Sequence, residues 1–164
     1  MKTKTLLILA LVMVMAGSLS VGPAAASGAE VPFKAYYPVT GVSNFDPSCG
    51  CVQQVFTPGG DGLASHMGRS LFSGNAQAWY GDTIVQIGDG TLTAANGDYL
   101  TVHYEGTGAV IDQGQHAVAD GWFEITGGSG RFENVTGGGT YHVFAYLSGE
   151  QPNDLWFDGH LHKP

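Results

Sequence analysis

The chain reads as all-β, a closed antiparallel β-barrel of about eight strands, on three observations. Beyond the first 26 residues helix signals are nearly absent. β-branched and aromatic runs recur throughout, separated by clusters of Gly, Asn and Asp that favour turns. One strand, 140–148, is bulky on both faces, because Tyr141, Val143, Ala145 and Leu147 alternate with His142, Phe144 and Tyr146. A sheet closed on itself accounts for that pattern, with one face lining an interior and the other packing outside. A two-sheet sandwich is the alternative.

The opening residues stand apart from the fold. Lys2 and Lys4 precede an apolar run from Leu6 to Met15, too short for a comfortable membrane span, and Ala24-Ala25-Ala26 supplies the small residues that a signal peptidase accepts. A signal peptide over 1–26, cleaved after Ala26, is therefore expected. It leaves one domain at 27–164, secreted or periplasmic. Strands are expected at 33–42, 51–56, 63–72, 75–80, 83–94, 99–106, 116–126, 140–148 and 154–162. Asn96-Gly97-Asp98 marks a tight turn, since Asn and Gly tolerate positive φ. In the last strand Leu155, Phe157 and Leu161 oppose Trp156, Asp158, His160 and His162.

Charge narrows the partners. Once Lys2 and Lys4 are removed, four basic residues remain against fourteen acidic ones, a net charge of −10 with histidines neutral. Such a surface repels phosphate backbones and anionic lipid heads, so neither nucleic acid nor a membrane is an expected partner. No cofactor is signalled. There is no Gly-x-Ser-x-Gly elbow, and no spacing selects a carboxylate pair from Glu105, Asp112, Asp120, Glu124 and Glu133. Hydrolase chemistry has no support.

The stretch Gly127-Gly128-Ser129-Gly130-Arg131-Phe132-Glu133-Asn134-Val135-Thr136-Gly137-Gly138-Gly139-Thr140 lies between two strand-like segments. A phosphate loop needs a helix after it, and a floppy linker would not carry a phenylalanine among its glycines. The segment is expected to be an ordered crossover, with Phe132 plugging the barrel end and Arg131 capping carbonyls or pairing with a carboxylate.

This stretch resembles the GGTGRF-x-x-ATG signature of allene oxide cyclase-like barrel proteins, a group similar to plant dirigent proteins. Ala64-Ser65-His66-Met67-Gly68-Arg69 and Ala95-Asn96-Gly97-Asp98 resemble segments of that group's bacterial secreted branch. The resemblance runs from about Gly62 to the C-terminus. It implies an antiparallel barrel of calycin-like architecture with a central cavity, and plant members that are trimers. Two functions are weighed. The aromatics spread over nearly every strand, in a barrel of this size, point to binding of a small apolar or aromatic ligand, or to an interaction module. The resemblance implies the other, a cyclase or isomerase guiding a reactive intermediate in the cavity.

Candidate site residues follow. His66 and Arg69 fall on an expected strand with opposite facings, where a cavity-facing His66 would act as acid or base or orient a ligand. Arg131 and Phe132 belong to the glycine-rich motif. Tyr104 and Trp122 are among the aromatics available as cavity walls. His160 and His162 share one strand face and are able to present two imidazoles to a metal, with Asp158 beside them. Cys49 and Cys51, with Gly50 between them, are compatible with a disulfide, an intermolecular link or a metal-binding pair. A disulfide there would close almost no loop. Bulk on both faces of 140–148 leaves an aromatic set facing outward, from which a homo-oligomer, a trimer or dimer, is expected.

Overall fold

The computed structural model describes residues 28–164. The expected signal peptide and its cleavage after Ala26 lie outside them. Among the described residues no helix is long and apolar enough to cross a membrane.

Nine strands form one antiparallel sheet: β1 (Glu30–Asp46), β2 (Cys51–Pro58), β3 (Gly62–Ala64), β4 (Gly68–Tyr80), β5 (Ile84–Ala94), β6 (Tyr99–Ile111), β7 (His116–Gly128), β8 (Thr136–Tyr146) and β9 (Asn153–His162). From β3 to β9 each strand pairs with its sequence neighbours, and β9 returns to pair with β1 over Glu30 to Val39, so the sheet runs in a ring. Between β1 and β4 one place is shared. β3 fills it at one end, opposite Ala35–Tyr36 and Gly68–Ser70. β2 fills it at the other, opposite Val39–Asp46 and Gly74–Ala78. Any level of the ring is thus crossed by about eight strands, the number whose interior side chains are just able to fill.

Alternation decides which residues go inside. On β9 Leu155, Phe157 and Leu161 are buried, and on β8 Tyr141 is buried while His142 and Phe144 are only partly so. The interior is unevenly filled. The end near β3 and its middle are packed by Phe33, Phe72, Phe123, Phe132, Phe157 and Leu161, all within one core cluster. The other end holds a separate small cluster of Ala78, Ile84 and Ala117, with Ala145 against it.

Two expected strands, 63–72 and 75–80, are corrected. The break falls earlier, at Ser65–Met67, and β4 then runs unbroken through Ser73-Gly74. Gly74 is no turn. It pairs with Gly90 on β5, and the Phe72 ring lies against both, where a Cβ on Gly90 would sit 2.4 Å from a ring carbon. Asn96-Gly97-Asp98 does make the β5–β6 turn, with Gly97 donating its N–H to the Ala94 carbonyl at 2.9 Å.

The expected crossover is shorter than the glycine-rich segment and joins neighbouring antiparallel strands: Gly127 and Gly128 end β7, Thr136 to Thr140 begin β8, and only 129–135 connects them, with one short 3-10 turn at Gly130–Phe132. Gly130 takes φ +59°, a conformation costly for residues with a Cβ. Phe132 is 1% exposed and packs inside the ring. Arg131 does both things expected of it: a guanidinium N–H donates to the Met67 carbonyl at 3.3 Å, and Nε lies 3.6 Å from Asp98.

Candidate functional site: a cup at the alanine-lined end

Alanines project inward at the β2 end of the ring, where aromatics project at the other. Ala78 on β4, Ala117 and Ala119 on β7 and Ala145 on β8 are too short to meet across the interior, and they line an open cup of about 320 Å³ with Ile84 and Gln86 of β5. Beneath it, among Phe72, Tyr104, Tyr141 and Leu155, only about 10 Å³ remains, so the cup has a closed floor.

The floor is polar but uncharged. Gln86 is buried at 7% exposure; its amide N–H donates to Gln54 Oε1 at 2.8 Å, and its Oε1 accepts the Tyr141 hydroxyl at 3.3 Å. Tyr104 stands edge-on to Tyr141, with ring centroids 5.3 Å apart, and donates to the Asn75 carbonyl at 3.1 Å. Burial pushes both phenols well above their ordinary pKa, so both remain neutral hydrogen-bond donors in any physiological medium. No residue lining the cup carries a carboxylate, imidazole, amine or thiol. The chemistry on offer is apolar contact with a few amide and hydroxyl groups.

The expected site residues scatter. Tyr104 reaches the interior but lies beneath the cup and not among the residues that line it. Trp122 does not; it is 45% exposed on the outer face of β7, because it falls in the opposite parity to Phe123. His66 is not on a strand. It takes φ +64° in the turn between β3 and β4, and its Nε2 lies 3.0 Å from the Pro32 carbonyl, outside the ring. Arg69 opens β4 and pairs with exposed Asp61. Arg131 and Phe132 sit at the packed end, away from the cup.

His160 and His162 do share the outer face of β9, with rings 4.9 Å apart. Asp158, the expected third group, is held by the Lys34 ammonium at 2.8 Å, and no group of three His, Cys, Asp or Glu side chains poised for a metal occurs among the described residues. Cys49 and Cys51 are joined in a disulfide at the tip of the β1–β2 hairpin, near the rim of the cup. Trp79 Nε1–H donates to the Cys49 carbonyl at 3.4 Å. Both sulfurs are therefore engaged with each other, and the metal-pair and intermolecular alternatives fall away.

Gln86 and the alanines were not singled out from sequence. A lone glutamine between Val85 and Ile87 carries no motif, and only its even spacing with Ile84 marks it as inward. No protein-family model, curated protein or solved structure matches the chain.

Proposed function

We propose that this chain is a secreted, closed antiparallel barrel of the allene oxide cyclase-like type, and that its open end binds one small, uncharged, mostly apolar ligand. The observation that carries the reading is the alanine-lined cup over the Gln86–Tyr141–Tyr104 floor. Pockets of about 300–1,000 Å³ with apolar walls and a few convergent polar groups suit small molecules. Here the walls favour an aliphatic or ring-containing body, and the floor favours one carbonyl or hydroxyl directed at Gln86.

Binding has more support than cyclase or isomerase chemistry. Acid–base catalysis needs a group whose pKa lies near the working pH. The cup is lined by amides that do not titrate and by the phenols of Tyr80 and Tyr146, both pushed up from their ordinary pKa by burial, and the Tyr104 and Tyr141 phenols beneath it are raised further.

The test is titration of the purified protein with N-phenyl-1-naphthylamine, a neutral apolar fluorophore. Enhanced, blue-shifted emission is expected, weakened at least tenfold by Ala145→Phe, which fills the cup. Equal enhancement in Ala145→Phe, with its thermal midpoint intact, would place the probe elsewhere and sink the reading.

A further inference from the structure

On the outer face of β7, β8, β9 and β1, aromatic rings and hydrogen-bonding side chains alternate. Tyr36, Trp156, His142 and Asp120 stand side by side in register across four strands. Tyr36 and Trp156 lie 5.6 Å apart at 40°, and Trp156 and His142 5.4 Å apart at 36°. They form a shallow ladder of three rings. The next row outward on the same face reads Lys34, Asp158, Thr140, Trp122 and Glu105. Tyr36, Trp122 and Trp156 are 38%, 45% and 37% exposed. Tyr36 and Trp156 are in contact, and Trp122 stands apart from them in the next row.

Two open grooves flank Trp156, of about 350 and 310 Å³, and Asp158 borders both. The carboxylates around them are held in place. Asp158 accepts the Lys34 ammonium at 2.8 Å and Asp120 accepts His142 Nδ1–H at 2.7 Å, while Asp154, outside the grooves, accepts the hydroxyls of Tyr36 at 2.7 Å and Tyr146 at 3.3 Å. Each carboxylate has oxygen lone pairs beyond those uses.

We propose that this face binds a neutral, extended polysaccharide, with sugar rings stacked on Trp156 and Trp122 and their hydroxyls donating to the fixed carboxylates. A sugar ring presents C–H groups on its faces, which suit the negative face of an indole. Around its edge it presents hydroxyls, which suit ionised acceptors. The platform supplies both in alternation. Trp122 and Trp156 are two strands apart and two residues out of register, roughly 12 Å, so the ligand spans more than one ring. Anionic polymers are repelled by the chain's net charge of −8.

A second copy is the other candidate occupant, and charge argues against it. A two-fold contact through this face would set Asp120, Asp154, Asp158 and Glu105 against the same four acids, with Lys34 the one basic residue among them and already paired. The proposal does not rest on the cup, which lies on the inner side of the strands.

The experiment is depletion of the purified protein by insoluble cellulose and chitin, with heparin beads as the anionic control. Retention on cellulose or chitin but not on heparin is expected. Trp156→Ala and Trp122→Ala should each weaken it at least tenfold at an unchanged thermal midpoint, and Trp156→Tyr should largely restore it. No retention on either polymer, or retention indifferent to both alanine variants, would overturn the proposal. So would light scattering that shows a multimer dissociated by Trp156→Ala, since a second copy would then cover the face.

Discussion

The Tyr141 hydroxyl donates to the Gln86 side-chain carbonyl at 3.3 Å, tying β8 to β5 across the interior of the ring. The bond links residues whose strands are not neighbours, and it sets the polar floor of the cup. Gln86→Leu leaves the buried Tyr141 hydroxyl without its acceptor and Gln54 without its donor, and leaving buried groups unsatisfied costs about 1–3 kcal/mol. Tyr141→Phe removes only one hydroxyl and should cost about 0.5–1.5 kcal/mol. Urea unfolding of both single variants and the double variant should return a non-zero coupling, since contacting residues are not additive. Strict additivity would mean that the bond does not hold the floor.

Phe132 is the second stability test. It is 1% exposed in the packed half of the ring, and its backbone is held by hydrogen bonds within the glycine-rich connection. Deleting a fully buried phenyl group costs about 3–5 kcal/mol. Phe132→Ala should therefore lower the thermal midpoint strongly. An unchanged midpoint would show that the ring end closes without it.

How much of this was legible in sequence divides along physical lines. Period-two alternation carries burial, so the two opposed sets on each of the last two strands and the buried Phe132 were readable, while which set faces inward was left open. The Asn-Gly turn was readable because its chemistry is local. Misreadings came where a residue's role depends on its neighbour in space. Gly74 resembles a strand end until Phe72 is seen to lie across it. His66 resembles a strand residue until its left-handed backbone is known. The cup was invisible because it is made by small residues on separate strands, and an alanine gives no signal of what faces it across a ring.

The disulfide makes a weaker claim on stability than its presence suggests. Cys49 and Cys51 are two positions apart. Chain-entropy arithmetic for so short a loop gives about 1.6 kcal/mol, roughly half of what a fifteen-residue loop would give. Reduction of the folded protein should shift its thermal midpoint by no more than about 6 °C. Global unfolding on reduction, followed by circular dichroism, would show that the hairpin tip organises far more than its own ring.

Alkaline pH should unfold the protein through its buried phenols. Burial raises Tyr37 to about 12 despite its hydrogen bond with Ser70, and raises Tyr104 and Tyr141 as well. In the unfolded chain these phenols ionise near about pH 10. Below that pH both states are protonated and the contribution to stability is complete. Above it the unfolded chain releases protons that the folded chain retains, so stability falls as pH rises, until the folded phenols ionise in turn. Each tyrosine contributes a slope of about 1.4 kcal/mol per pH unit in that window. Urea midpoints should thus be flat from about pH 7 to 9 and drop steeply beyond about pH 10. Tyr141→Phe should make the drop shallower, because one of the phenols raised by burial is gone. If tyrosinate absorbance instead rose to full amplitude near pH 10 with the far-ultraviolet spectrum intact, the three phenols would be in contact with water, and the closed floor beneath the cup would be wrong.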